Sequence, residues 1–288
     1  MDGQLFKRLY RRLLEIASLS RRSREQFSDV AIVAVYLWAV LHDRPQGWGC
    51  DPENWTIAVP WVELPSASRL SRRLNTPLVK KLLDQLCDYL WGRFRTRIVK
   101  CVDGKALTVS KSSKDKTATI GPASGGRLAK GYKLHVIVDG GGVLVAWAVA
   151  PLNHGESTAA RRLVRRLEGE GYLVGDSGYD YNALYAEAGG YGHQLMAPPK
   201  KVGKGLGHQV HSPRRLRGLK LLQQPIAKGL LKVRKTSVER FFGNLGWAAG
   251  GLSQLPGFVR SFVRVRRWVQ GKLLLQGLRM ENSLELRQ

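Results

Sequence analysis

The chain has 288 residues, with 47 Lys and Arg against 22 Asp and Glu, so its net charge at neutral pH is +25. That length can bury a sizeable core, and 43% hydrophobic with 24% charged residues excludes disorder throughout. Cys50, Cys87 and Cys101 lie far apart with no C-x-x-C pair, which excludes a disulfide scaffold and points to a reducing cytoplasm, and the longest apolar run, Val30 to Leu41, is short of the roughly 20 residues of a membrane span.

The N-terminal part reads helical. Leu5, Leu9, Leu13, Leu14 and Ile16 recur at helical spacing among arginines. Ser28 is placed to cap a helix over Asp29–His42, too apolar for a surface element and so predicted to be the buried helix of a small domain. A Pro, Gly and Trp-rich connection runs to about Glu63. A short helix over Pro65–Leu74 follows, with Ser66 as N-cap, and after Asn75-Thr76-Pro77 a further helix over Leu78–Tyr89. Arg69, Arg72 and Arg73 stand at i, i+3 and i+4, giving that short helix a basic face like a helix-turn-helix reading element; an ordinary basic surface helix is the alternative.

From Arg97 the texture changes to strands. Ile98–Leu107 is a β-rich run containing Asp103, and Gly131–Asp139 and Val143–Ala150 form a hairpin across three glycines. The Gly-rich stretch Gly121–Gly131 lacks the P-loop pattern and reads as a hairpin or substrate loop. Glu156–Glu168 is predicted as a basic amphipathic helix, Tyr172–Asp176 as a short buried strand, Tyr181–Ala188 as a helix and His193–Ala197 as a strand. Residues 198–230 show little pattern and read as a loop or small subdomain. Helices over Lys235–Gly246 and Ser261–Leu278 close the chain, the last one basic and amphipathic. This order implies an α/β fold with a mixed sheet. The expected division is a helical DNA-binding domain over 1–97 and a catalytic domain over 98–288, with a basic loop at about 198–235.

The charge is concentrated. Between Ala188 and Met280 there are 18 basic residues and one acid, Glu239. Such a stretch reads as a track for a phosphate backbone, with double-stranded DNA as partner and steep salt dependence. On local grounds Glu239 is either a structural ion pair with Arg240 or Lys235, or a metal ligand held where a polyanion docks. Asp103 and Asp176 come from separate strands, and each is followed by small residues, Gly104 and Ser177-Gly178. Acids from separate elements are what two Mg²⁺ or Mn²⁺ ions need to clamp the attacking and leaving oxygens of a phosphodiester. Taken singly, each aspartate is equally a strand-end turn residue. His208 and His211 have no nearby partners for a metal site, and His154 reads as a loop histidine or a residue at the mouth of the site.

Four segments carry a resemblance. Val102-Asp103-Gly104-Lys105, the hairpin from Lys130 to His154, Val174–Asp180 and Val238–Leu245 resemble, in order, the catalytic core of insertion-sequence-type DDE transposases over about residues 98–270. The resemblance implies an RNase H-like mixed sheet flanked by helices, preceded by a small all-helical DNA-binding domain. It also implies Asp103, Asp176 and Glu239 as ligands of two Mg²⁺ or Mn²⁺ ions. The activity implied is cutting of element ends and joining of their 3′-hydroxyls to target DNA, by a homodimer on DNA in a bacterial-type cytoplasm. Arg69, Arg72, Arg73, Lys133, Lys200, Lys201, Lys235 and Arg240 are the expected DNA contacts. The chain departs from many relatives: Gly246 stands seven after Glu239 where they carry a basic residue, Lys232 seven before where they carry tyrosine, and Lys235 four before in place of arginine. A catalytically inactive DNA-binding descendant is therefore the alternative.

Overall fold

The computed structural model describes residues 2–17, 26–58, 63–200, 210–247, 252 and 254–285. They fall into two compact units, Met1–Phe94 with Leu245–Leu252 and Arg267–Gln288, and Arg95–Asn244 with Ser253–Arg266. The last helix thus contributes most of its length to the first unit, where the sequence alone assigned everything beyond residue 98 to the second. Among the described residues, no helix is long and apolar enough to cross a membrane.

In the first unit α1 (Asp2–Ala17) turns Leu5, Phe6, Leu9, Leu13 and Ile16 inward and leaves Leu14 exposed. Helix α2 (Asp29–Leu41) starts where the Ser28 side chain accepts the Ala31 amide, and every residue from Val30 to Leu41 is buried, as its apolar run predicts. Ser66 caps the short α3 (Ala67–Arg73) and Thr76 caps α4 (Pro77–Gly92). Pro77 therefore opens a helix, at the position where its missing N–H costs nothing.

The last helix, α9 (Phe262–Glu285), corrects the amphipathic expectation, because Arg267 to Leu278 are buried without interruption. Gly271 lets it come close to α2: a Cβ there would stand 3.0 Å from a Val40 methyl. Lys272 lies inside with its ammonium on Asp43 and 3.3 Å from the Val40 carbonyl, and Gln270 donates to Asp84 at 2.7 Å. Polar groups with partners are tolerated in a core, so charge count alone misjudges this helix.

The second unit holds a six-stranded sheet. Its strands are β1 (Val99–Thr108), β2 (Thr119–Pro122), β3 (Leu128–Asp139), β4 (Leu144–Pro151), β5 (Gly171–Val174) and β6 (His193–Met196). β1 pairs antiparallel with β3, and β3 in turn with β2 and β4. On its other side β1 pairs parallel with β5, and β5 with β6. The expected hairpin over 121–131 is the turn between β2 and β3. Alternation divides the faces: Val102, Ile137 and Leu173 pack with Leu163 of α5 (Glu156–Val164) and Leu184 of α6 (Asn182–Gly190). Val174 and Met196 pack on the opposite side with Ala227 and Leu230. These two belong to α8 (Ile226–Trp247), which begins nine residues before the predicted start and follows α7 (Pro213–Leu222). The segment 213–230, expected as loop, is thus largely helical; its glycines and basic residues mask the short apolar spacing of Leu216, Leu219 and Leu222.

Asp115 ties this unit together. Its carboxylate accepts from the Tyr132 hydroxyl at 2.7 Å, the Thr117 hydroxyl at 2.8 Å and the Ser261 amide at 2.8 Å. These donors hold its carboxyl at about 2 although burial opposes them. A depressed acid stabilises the fold above its unfolded value and loses that contribution as pH falls through its folded one. Asp115→Asn is therefore expected to cost about 2 kcal/mol at pH 7. In urea titrations the gap from wild type should close between about pH 4 and pH 2; a gap constant with pH would remove the assignment.

Candidate active site

The register of two strands brings two acids together. β1 and β5 run parallel with Cys101 opposite Val174. Asp103 and Asp176 stand two residues beyond these, so both arrive at one level, Asp103 midway along β1 and Asp176 just past the end of β5. The Oδ1 atom of Asp103 accepts the Gly104 amide at 2.7 Å, and that of Asp176 accepts the Gly178 amide at 2.8 Å. Their Oδ2 atoms face the same nitrogen of Arg234 from α8, at 2.9 and 3.2 Å. Those two oxygens are therefore no more than about 6 Å apart, because one nitrogen reaches both.

Several polar groups beside this pair are buried without a partner. The Tyr179 hydroxyl, both ring nitrogens of His135 and the Nε of Arg234 make no hydrogen bond. Tyr179 is 1% exposed and His135 0%. Burial raises the Tyr179 hydroxyl well above its ordinary value, and the charges of Asp103, Glu156 and Asp176 push the same way. Burial lowers the His135 imidazole to about 4, with the Lys133 charge adding, so it is neutral near pH 7. Burial also pushes the Asp103 carboxyl up to about 6, against the pull of Arg234 and the Gly104 amide. Two carboxylates meeting a single cation, ringed by orphaned buried polar atoms, fit a cation-binding cleft. Among the described residues no three or more His, Cys, Asp or Glu side chains form a group that could hold a metal ion.

Glu239 is exposed on α8. Five residues separate it from Arg234, about 140° around the helix, so the turn of α8 that gives Arg234 to the aspartates faces Glu239 elsewhere. Glu156, at the first turn of α5, is the acid that lies near: a Cβ on Gly178 would stand 2.5 Å from its Oε2 and 2.8 Å from Asp176 Oδ1. Neither Arg234 nor Glu156 stood out in the sequence. Arg234 is one of 18 basic residues in its stretch, and Glu156 reads as an ordinary acid opening a helix.

The expected DNA contacts differ in availability. Arg72, Lys235 and Arg240 are exposed. Arg69 is half-buried over the Phe27 ring, and Arg73 pairs with Asp29 at 2.6 Å. Lys200 is exposed, with its ammonium 3.5 Å from the Tyr181 ring centre. Lys133 is a correction: it is 8% exposed and its ammonium sits 2.8 Å from Glu156, which leaves no open charge for a phosphate. Lys201 and His208 lie outside the described residues; His211 faces Arg215 at 2.7 Å.

A transposase DDE domain model matches residues 95–263, more than half of the chain. Among solved structures, a piggyBac transposase synaptic complex with hairpin DNA, seen by cryo-EM, is similar with a TM-score of 0.37 and 11% identity over 70% of this chain. The chain spans 49% of that one. No curated protein matches. With Asp103 and Asp176 both inside the matched region, the chain belongs to the DDE transposase domain family.

Proposed function

We propose that this protein is a DNA transposase of a bacterial-type insertion sequence, cutting the ends of its element and joining the 3′-hydroxyls to target DNA. The observation that supports this most is the meeting of Asp103 and Asp176 on one cation in a domain of the DDE family. The strand pattern, three antiparallel strands joined to three parallel ones through β1, supports an RNase H-like core. In this reading Asp103 and Asp176 would hold divalent ions, Mg²⁺ or Mn²⁺, with Glu239, exposed on α8, as the third acid of the set. When bound, such ions supply Lewis acidity to a phosphodiester under in-line attack. Asp103 presents its oxygens from the middle of β1 and Asp176 from just past β5, and Gly104 and Gly178 fix the orientation of those carboxylates through their amides. Arg234 neutralises the pair.

The test is Mg²⁺-dependent nicking and joining of a duplex that carries the ends of the element, with single-strand products resolved on a denaturing gel. The second reading is a catalytically silent DNA-binding descendant, favoured by the guanidinium between the aspartates and the exposure of Glu239. Binding without nicking at any Mg²⁺ or Mn²⁺ concentration selects it.

DNA is proposed to run over exposed Arg72, Lys200, Lys235 and Arg240, with the protein acting as a homodimer on two ends. Arg72→Ala is expected to weaken binding to all duplex sequences evenly and to lower the slope of log affinity against log salt by about 1. Fluorescence anisotropy from low to moderate salt measures it; an unchanged slope takes Arg72 off the DNA.

A further inference from the structure

We infer that the hairpin of β2 and β3, with the loop folded against it, is a separate DNA-contact surface: its lysines meet phosphates while Ile120 and Leu128 seat in the minor groove as an apolar wedge. This rests on the reading of the protein as one that handles duplex DNA. Ile120 is 66% exposed and Leu128 72%, whereas Leu134 and Val136 further along β3 are fully buried. Ile120 pairs with Lys130 and Leu128 with Pro122, and the two-residue alternation of strands puts all four on one face of the hairpin. The turn ahead of them is small. The Ala123 amide donates to the Arg127 carbonyl at 2.8 Å, and Gly125 and Gly126 take φ of 74° and 73°, which suits glycine. No side chain at those glycines stands ahead of Leu128.

The charge around this face has one sign. Between Gly104 and Val138 the only acid is Asp115, which is buried and taken up by the Tyr132 and Thr117 hydroxyls and the Ser261 amide. Lys111, Lys114, Lys116 and Arg127 are exposed. The loop that carries the three lysines folds over the same face of β3, because Lys130 donates to the Ser113 carbonyl at 2.7 Å and Tyr132, two residues on, donates to Asp115. The segment that Asp115 holds through Ser261 adds exposed Arg260 and Arg264 and no acid. Cations beside exposed apolar side chains match the two chemistries of a minor groove, phosphates along its rims and base edges on its floor. An isoleucine or leucine pressed in there partly unstacks a base step and bends the duplex. A duplex engaged at Asp103 can reach the hairpin. Asp103 pairs with Val136, and the strand from there back to Leu128 spans about 27 Å, the length of roughly eight base pairs. None of these residues is among the DNA contacts expected from the sequence.

Fluorescence anisotropy against salt and end-to-end energy transfer, on the full chain with a duplex carrying the ends of the element, test this without any cleavage assay. Lys111→Ala, Lys114→Ala and Lys116→Ala together should lower the slope of log affinity against log salt by about 3. Ile120→Thr with Leu128→Thr should keep the wild-type slope and cut the energy-transfer gain that reports bending by about half or more. These side chains are exposed and threonine suits a strand, so both variants should melt with wild type. An unchanged slope in the lysine variant, or full bending in the threonine variant, overturns the surface, while duplex binding by the wild-type chain keeps the wider reading. A wild-type chain that binds no duplex removes both. The competing occupant is a second copy of the chain. A threonine variant that turns a dimer into a monomer in sedimentation without DNA, and bends DNA like wild type, makes this face a self-interface and overturns the inference.

Discussion

Asp103→Asn is expected to abolish the proposed DNA cleavage and strand joining, by at least about 10³-fold, while the affinity for duplex DNA stays within about twofold. A loss of that size is about 4 kcal/mol of transition-state stabilisation, within what positioned charge contributes at a phosphoryl-transfer centre. The substitution preserves shape and the acceptor that meets the Gly104 amide, and removes the negative charge that faces Arg234. It lies on a central strand whose backbone is paired on both sides, so the fold tolerates it. Single-turnover cleavage and anisotropy on the same preparation measure both quantities. Retained cleavage would end the assignment of Asp103 as a reacting-centre acid; lost binding with an intact fold would make it a DNA-positioning residue.

Trp38→Ala is expected to destabilise the first unit by about 3–5 kcal/mol, the largest single stability effect among the described residues we consider. Trp38 is fully buried in α2. Its indole N–H donates to the Asn54 carbonyl at 3.0 Å, its ring stacks on Trp55 at 4.9 Å, and Phe6 meets it edge-on at 5.1 Å. Removing it opens a cavity, breaks the aromatic group and orphans a carbonyl at once. Urea unfolding followed by far-UV circular dichroism gives the midpoint shift. Trp38→Phe, which keeps an aromatic ring but loses the N–H and part of the ring volume, should cost less, about 1–3 kcal/mol. Equal losses from the two variants would show that the hydrogen bond, and not the packing, carries the effect.

Local chemistry made much of the chain legible before any coordinates. Ser28 and Ser66 mark helix starts through side-chain caps, and those helices begin there; Pro77, read as the end of a break, is instead the first residue of α4. Apolar alternation and glycine turns located β1, β3, β4, β5 and β6 to within a few residues, because side-chain period follows directly from backbone geometry, while the four-residue β2 was too short to show a pattern. The spacing of Asp103 and Asp176 behind their strands is a sequence fact as well, and parallel pairing turns it into proximity.

Tertiary structure decided what depends on partners far along the chain. Whether α9 is a surface or a core helix depends on Asp43 and Asp84 receiving its polar side chains, and no window of sequence contains those partners. Lys133 reads as one more DNA-facing base in the sequence, but its ammonium meets Glu156 from α5 and its side chain is buried. Likewise the rotation of α8 is set by which apolar residues meet Val174 and Met196, and that rotation gives Arg234, not Glu239, to the aspartates. A sequence specifies which residues can ionise and which stretches can form helix or strand; the packed fold alone sets which charges share a space, because electrostatic energy depends on distances that only the three-dimensional arrangement determines.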